Sequence, residues 1–258
     1  MGISALPGLR QKVLTISCLA GARMLFTAVN WALGGFTPLS LAVLLVMLTL
    51  EGLQLAGLWM CLSEDKAQRG LYIHWLYGRI VYILSWVLLA LMGLITLVLL
   101  FSVLAGGKDG RQLLVVVAAA LVTTFLALAL TFYHKHRARL AKQLRQGAVT
   151  PSRAPEVWTL LFAASNLAML LCQAAATLFA DKAPLPEGAG SFAQSAHDFL
   201  LSLAQPNLSA VQHAIQFVAS ALLIASLLVV CALFKSVRIN APLLQAPLHK
   251  KRLTIKNQ

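Results

Sequence analysis

The sequence predicts an all-α fold: a polytopic membrane helical bundle of six transmembrane helices, with both termini cytoplasmic. Three observations lead there. Hydrophobic residues make up 59% of the 258 positions and charged residues 11%, with a mean hydropathy of +0.80, whereas soluble domains are about a quarter charged and under half apolar. Several runs reach or approach the ~20 apolar residues that cross a hydrocarbon core. No run alternates apolar with polar residues as a half-buried strand does, which leaves helices to satisfy the backbone in lipid.

Span one covers Val13 to Leu33 and carries Arg23 near its middle, with Thr27 and Asn30 following at i+4 and i+7 on the same face. A mid-span arginine costs about 2.5–3.5 kcal/mol to insert, so that face is expected to turn away from lipid. Without a partner there, the segment would lie at the interface instead. Span two, Leu39 to Leu62, follows a turn at Gly34-Gly35-Phe36-Thr37-Pro38 and carries Glu51 and Gln54 on one face. So short a connector makes the two spans antiparallel neighbours. Arg23 lies 13 residues before Phe36 and Glu51 lies 15 after it, which at 1.5 Å per residue puts them within roughly 3 Å of the same depth. An ion pair inside the first hairpin is the expectation. Gly52 and Ala56 form a small-xxx-small pair for close packing.

Ser63 to Gly70 reads as a polar turn, and span three follows with an apolar body from Ile80 to Leu104. Its approach carries Tyr72, Trp75, Tyr77, Tyr82 and Trp86, residues that ordinarily mark the headgroup level. A turn at Gly106 to Arg111 leads into span four, Leu113 to Tyr133, which continues as a helical extension through His134 to Arg145. That extension reads as a solvated basic stub. His134 and His136 stand two apart and point to different helix faces, which argues against a shared metal.

Span five, Val157 to Phe179, carries Thr159, Asn166, Gln173 and Thr177 along one stripe. Between Asp181 and Gln205 the apolar Phe192, Ala196, Phe199, Leu200 and Leu203 share one face, which predicts a short amphipathic helix lying on the outer surface. Span six runs from Val211 to Phe234, with His213, Gln216 and Ser220 on one face near its start. The bundle thus occupies residues 1–234, and a basic cytoplasmic tail occupies 235–258.

Orientation follows from the basic residues. With the N-terminus inside, 17 of the 21 Lys and Arg fall on the inner side and three on the outer, with Arg23 intramembrane. Basic residues concentrate in cytoplasmic loops, so the same bias accounts for the +13 charge without nucleic acid, and no aromatic-basic binding module accompanies it. The bilayer itself is the expected partner, with anionic headgroups meeting the basic inner face, and the plasma membrane is the expected location. Arg10 and Lys12 precede only seven or eight apolar residues, too short for a signal-peptide core, so the segment is read as a helix of the mature protein.

Chemistry is sparse. Cys18, Cys61, Cys172 and Cys231 show no CxxC spacing and read as small buried residues. HExxH, GxSxG, GxxxxGK[ST] and GxGxxG are all missing, so neither an enzyme nor a cofactor or metal site is expected. The candidate site is the Arg23–Glu51 pair, in a structural or substrate-path role. Asn30, Gln54, Asn166, Gln173, His213 and Gln216 are candidates for a polar lining between spans one, two, five and six. The layout resembles the membrane subunits of ABC-2-type exporters, which implies a separate ATPase on the inner loops, although the SEDKAQRG turn is short for a coupling helix. The leading expectation is a permease or the membrane subunit of a transporter, alone or as a homo-oligomer. The alternative is a non-transporting scaffold or assembly factor with a basic cytoplasmic face.

Overall fold

The computed structural model describes residues 8–35, 38–63, 65–105, 110–179, 190, 194 and 208–242, and six long helices follow one another among these described residues. They are α1 (Leu9–Gly34), α2 (Pro38–Leu62), α3 (Ala67–Ala105), α4 (Gly110–Gln146), α5 (Ala154–Phe179) and α6 (Ala210–Ile239), and no strand occurs among the described residues. The helix ends carry local signals. Ser209 and Gln212 form a capping box at the start of α6: the Ser209 hydroxyl accepts from Gln212 N–H at 3.3 Å, and Ser209 N–H donates to Gln212 Oε1 at 2.9 Å. At the end of α4, Gly147 adopts a left-handed φ of 65°. Its N–H donates to Leu144 O and that of Ala148 to Gln143 O, the pair of bonds that closes a Schellman cap.

Among the described residues five helices contain stretches long and apolar enough to cross a membrane, in α1, α2, α3, α5 and α6. The chain is an integral membrane protein. Its lipid-compatible surface is visible in side chains such as Leu25, Phe101 and Leu121, each about two-thirds exposed, which only lipid or another protein can cover. Hydroxyls along the helices donate within their own helix, as Thr49 does to Leu45 O, Thr131 to Ala127 O and Thr159 to Pro155 O. No free donor is left facing hydrocarbon at those positions.

Each helix packs on the one before it, and α6 returns to pack on α1, so the six close into a ring. Neighbours run antiparallel all the way round. Cys61 near the end of α2 meets Gly70 near the start of α3, and Gly78 of α3 meets Ala138 of α4. Phe132 of α4 stacks on Trp158 of α5 at 4.5 Å, Glu156 of α5 pairs with Arg238 of α6, and Lys12 of α1 donates to Ser236 Oγ.

The tightly packed core sits at one end of this ring, the end carrying the α2–α3 turn, the α4–α5 connection and the close of α6. Leu9, Val13, Ile16, Leu58, Tyr133, Val149, Phe234 and Val237 belong to one buried cluster there. The same end carries most of the described basic residues, and we call it the basic end.

Several sequence expectations change here. The polar turn is shorter than read, because α3 begins at Ala67 and buries Ala67 and Gly70. Close helix packing uses Gly57 and Gly70 rather than Gly52 and Ala56: a Cβ on Gly52 would meet nothing within 4 Å, whereas one on Gly70 would lie 2.7 Å from both Cys61 N and Gly57 O. The basic extension of α4 is no solvated stub, since His134, Ala138, Leu140 and Ala141 are buried. Tyr77 is not a headgroup marker but 8% exposed inside the bundle. Helix α6 continues through Lys235 to Ile239 and buries Val237, so the ordered bundle extends past residue 234. The proposed surface helix at 181–205 falls outside the described residues apart from two isolated positions, and so does the tail beyond residue 242.

Gly70→Ala should lower stability by about 1–3 kcal/mol, the cost of forcing a methyl into a packed crossing. Gly93→Ala, with open space at its Cβ, should leave it unchanged or slightly higher. Thermal unfolding of the two variants in one detergent checks both, and equal melting midpoints would contradict the α2–α3 contact.

Candidate functional site

Arg23 and Glu51 meet. Arg23 Nη2 donates to Glu51 Oε1 at 2.6 Å, with the two side chains 22% and 13% exposed. The other carboxylate oxygen, Oε2, is buried without a hydrogen-bond partner. Local geometry makes the meeting possible: the Gly34-Gly35 exit from α1, with Gly35 at φ 76°, lets α2 fold back along α1 with both residues near mid-helix. Asn30, two turns further along α1, also has a buried side-chain oxygen without a partner.

One turn from Glu51 towards the basic end, Gln54 lines a half-open cavity of about 90 Å³ between α1, α2, α3, α4 and α6. Most of its wall is apolar, including Val13, Leu58, Leu140 and Phe234. Its polar wall consists of Gln54, Cys61, His74 and Arg137. Arg137 Nη2 donates to Nδ1 of His74 at 3.0 Å. Guanidinium has no acceptor, so Nδ1 must accept and the His74 proton resides on Nε2. That Nε2 is buried without a partner, in a residue 7% exposed. The Arg137 guanidinium also lies 5.0 Å over the Tyr77 ring, and His134 meets Tyr77 edge-on at 5.7 Å.

These groups form one polar column. Arg23 and Glu51 lie near mid-helix, Gln54 follows at the cavity, and Arg137 with His74 and Tyr77 stands at the basic end. A second ion pair closes the ring elsewhere: Arg238 donates from Nε to Glu156 Oε1 at 2.5 Å and from Nη2 to Oε2 at 3.2 Å. On the same end, partial burial and then the adjacent Lys135 and Arg139 hold the His136 imidazole below its usual range.

The remaining sequence candidates sit apart from the column. Asn166 donates to Phe162 O of its own helix at 2.7 Å, and Thr177 to Gln173 O at 2.8 Å. The stripe on α5 is thereby largely satisfied within α5. His213 and Gln216 stand half-buried in the first two turns of α6, at the opposite end of the ring from the cavity. Of the expected polar lining, Gln54 alone faces the cavity, and α3 and α4 replace α5 in its wall.

Sequence reasoning missed His74, Tyr77, His134 and Arg137. A signal existed: His134, Arg137, Ala138 and Ala141 recur at helical spacing with Leu140 and Leu144 close by, the pattern of a helix face that packs. Among the described residues no group of three His, Cys, Asp or Glu side chains is arranged to hold a metal. No family model, curated protein or solved structure matches the chain.

Arg23→Leu alone should cost about 3–5 kcal/mol by stranding a buried carboxylate, while Arg23→Leu with Glu51→Leu should recover most of that. A double-mutant cycle read by thermal unfolding decides it. Additive losses in the double variant would mean the two side chains act independently.

Proposed function

We propose that the chain is a permease: six spans, both termini cytoplasmic, in the cell membrane, moving a small solute through the middle of the helix ring. The observation that carries this reading is the polar column from Arg23–Glu51 through Gln54 and Tyr77 to Arg137, beside a cavity at the basic end. Ionisable side chains inside a membrane bundle are costly and concentrate along ion, proton or substrate pathways. Support for a six-span path comes from the closed ring of six antiparallel helices and from the uncharged run Leu113–Tyr133 in α4. Support for the orientation comes from the basic end, which on the positive-inside rule faces the cytoplasm. In this reading the cavity is the cytoplasmic vestibule and the Arg23–Glu51 pair is the barrier above it. The unpaired Glu51 oxygen is the place where a passing solute or proton engages.

A second reading, a membrane scaffold that recognises anionic headgroups, has its own observation. Arg79 lies over Trp75, Arg145 over Tyr72 and Lys135 over Phe132, at 5.3–5.6 Å. These are cations placed beside aromatics, as at a lipid interface.

Reconstituted wild-type protein should carry solute-dependent current or counterflow for at least one member of a panel of small anions, cations and neutral solutes. Glu51→Gln, folded by the same thermal criterion, should reduce it at least tenfold. Flux through Glu51→Gln at the wild-type rate would remove the pair from the path and favour the scaffold. Topology is checked separately, on a cysteine-free background. Cysteines placed at Lys66 and Lys235 should label from the cytoplasmic side and those at Lys108 and Lys182 from the other, and labelling of all four from one side would rule out the six-span arrangement.

A further inference from the structure

We propose that the cavity at the basic end is a binding site for a small monocarboxylate, with Arg137 as its counter-ion. The inference rests on the permease reading only in taking this anion as the solute carried; the binding site stands on its own geometry.

The three arginines drawn into the described bundle differ in one respect. Arg23 is paired with Glu51 and Arg238 with Glu156. Arg137 has no carboxylate partner among the described residues. Its contacts are a neutral imidazole nitrogen and the face of a tyrosine ring. It is also the one charged residue in the cavity wall. A cation held in a largely apolar wall, without an anion, has the chemistry of an anion site.

The shape of the charge and the wall narrow the ligand. Guanidinium presents five N–H donors in a planar fork that matches a carboxylate in bidentate fashion, and His74 Nδ1 accepts only one of them. His74 is therefore a positioning residue: it holds the fork in place and leaves the other donors to a ligand. Gln54 adds an amide to the cavity wall. Around these groups stand Val13, Leu58, Leu140 and Phe234, which would bury methyl or methylene groups and cannot solvate the extra oxygens of a phosphate.

The test uses the purified full chain in lipid nanodiscs, with radiolabelled propionate as the probe. Wild type should bind about one propionate per chain, acetate should compete, and propionamide and inorganic phosphate should not. Arg137→Gln should weaken binding at least tenfold. Arg137→Lys, which keeps the charge but loses the fork, should weaken it by less. His74→Gln tests positioning, and should narrow the affinity difference between the Arg and Lys forms. If Arg137→Gln fails to fold, the ligand series on wild type still decides. No saturable propionate binding, or equal competition by propionamide or inorganic phosphate, overturns the site. Flux in proteoliposomes, above that of protein-free liposomes, separates the two proposals. Propionate bound but not moved keeps the site and removes the permease, whereas movement of other solutes without propionate binding keeps the permease and removes the site.

Discussion

A guanidinium and a carboxylate that cannot reach water from mid-helix must reach each other, and that constraint organises the first half of the bundle. The 2.6 Å contact between Arg23 and Glu51 sets the register of α1 against α2, because sliding either helix by one turn would separate the charges by about 5.4 Å. Register in turn places Gln54 one turn nearer the basic end, where it joins the cavity wall. Further along α2, Gly57 lies beside Gly70, where α3 crosses closely enough for His74 to sit over Gly57, its Nε2 within 3.3 Å of where a Cβ would be. The pair contributes little net stability over an apolar equivalent, yet it removes the alternative registers.

Packing and charge gather at the same end for related reasons. Apolar side chains facing lipid gain nothing by packing on each other there, since hydrocarbon surrounds them in either case. Towards the basic end the helices bury apolar side chains against one another, as hydrophobic burial from water requires. That is where Leu9, Val13, Ile16, Val149, Phe234 and Val237 form a core and where Glu156 and Arg238 make a two-point pair. Small residues at Gly57, Gly70, Gly78 and Ala138 bring α2, α3 and α4 close, and the polar groups of α3 and α4 are carried inward with them.

The chemical character of the site comes from imbalance. Two arginines are neutralised by glutamates and the third is not, and that third one faces an apolar cavity with its fork held by His74. Tyr77 stands under the Arg137 guanidinium, its ring face towards the cation.

Composition, run length and the short Gly-Gly turn were enough, read from the sequence, to determine the membrane class, the positions of six helices to within a few residues and the meeting of Arg23 with Glu51. Such features depend on neighbours close along the chain or on matched distance from a turn. What the tertiary structure decided was which faces meet. Ring closure by α6 on α1, the Glu156–Arg238 pair and the burial of His74, Tyr77, His134 and Arg137 join residues far apart in sequence. For the stripe on α5, side-chain polarity alone does not reveal the hydrogen-bond partner. In the structure Thr159, Asn166 and Thr177 turn to carbonyls of their own helix. The basic run after Tyr133 looked solvated because its charges are dense, yet its small and apolar positions share one face, and only the presence of α3 beside them makes that face a core.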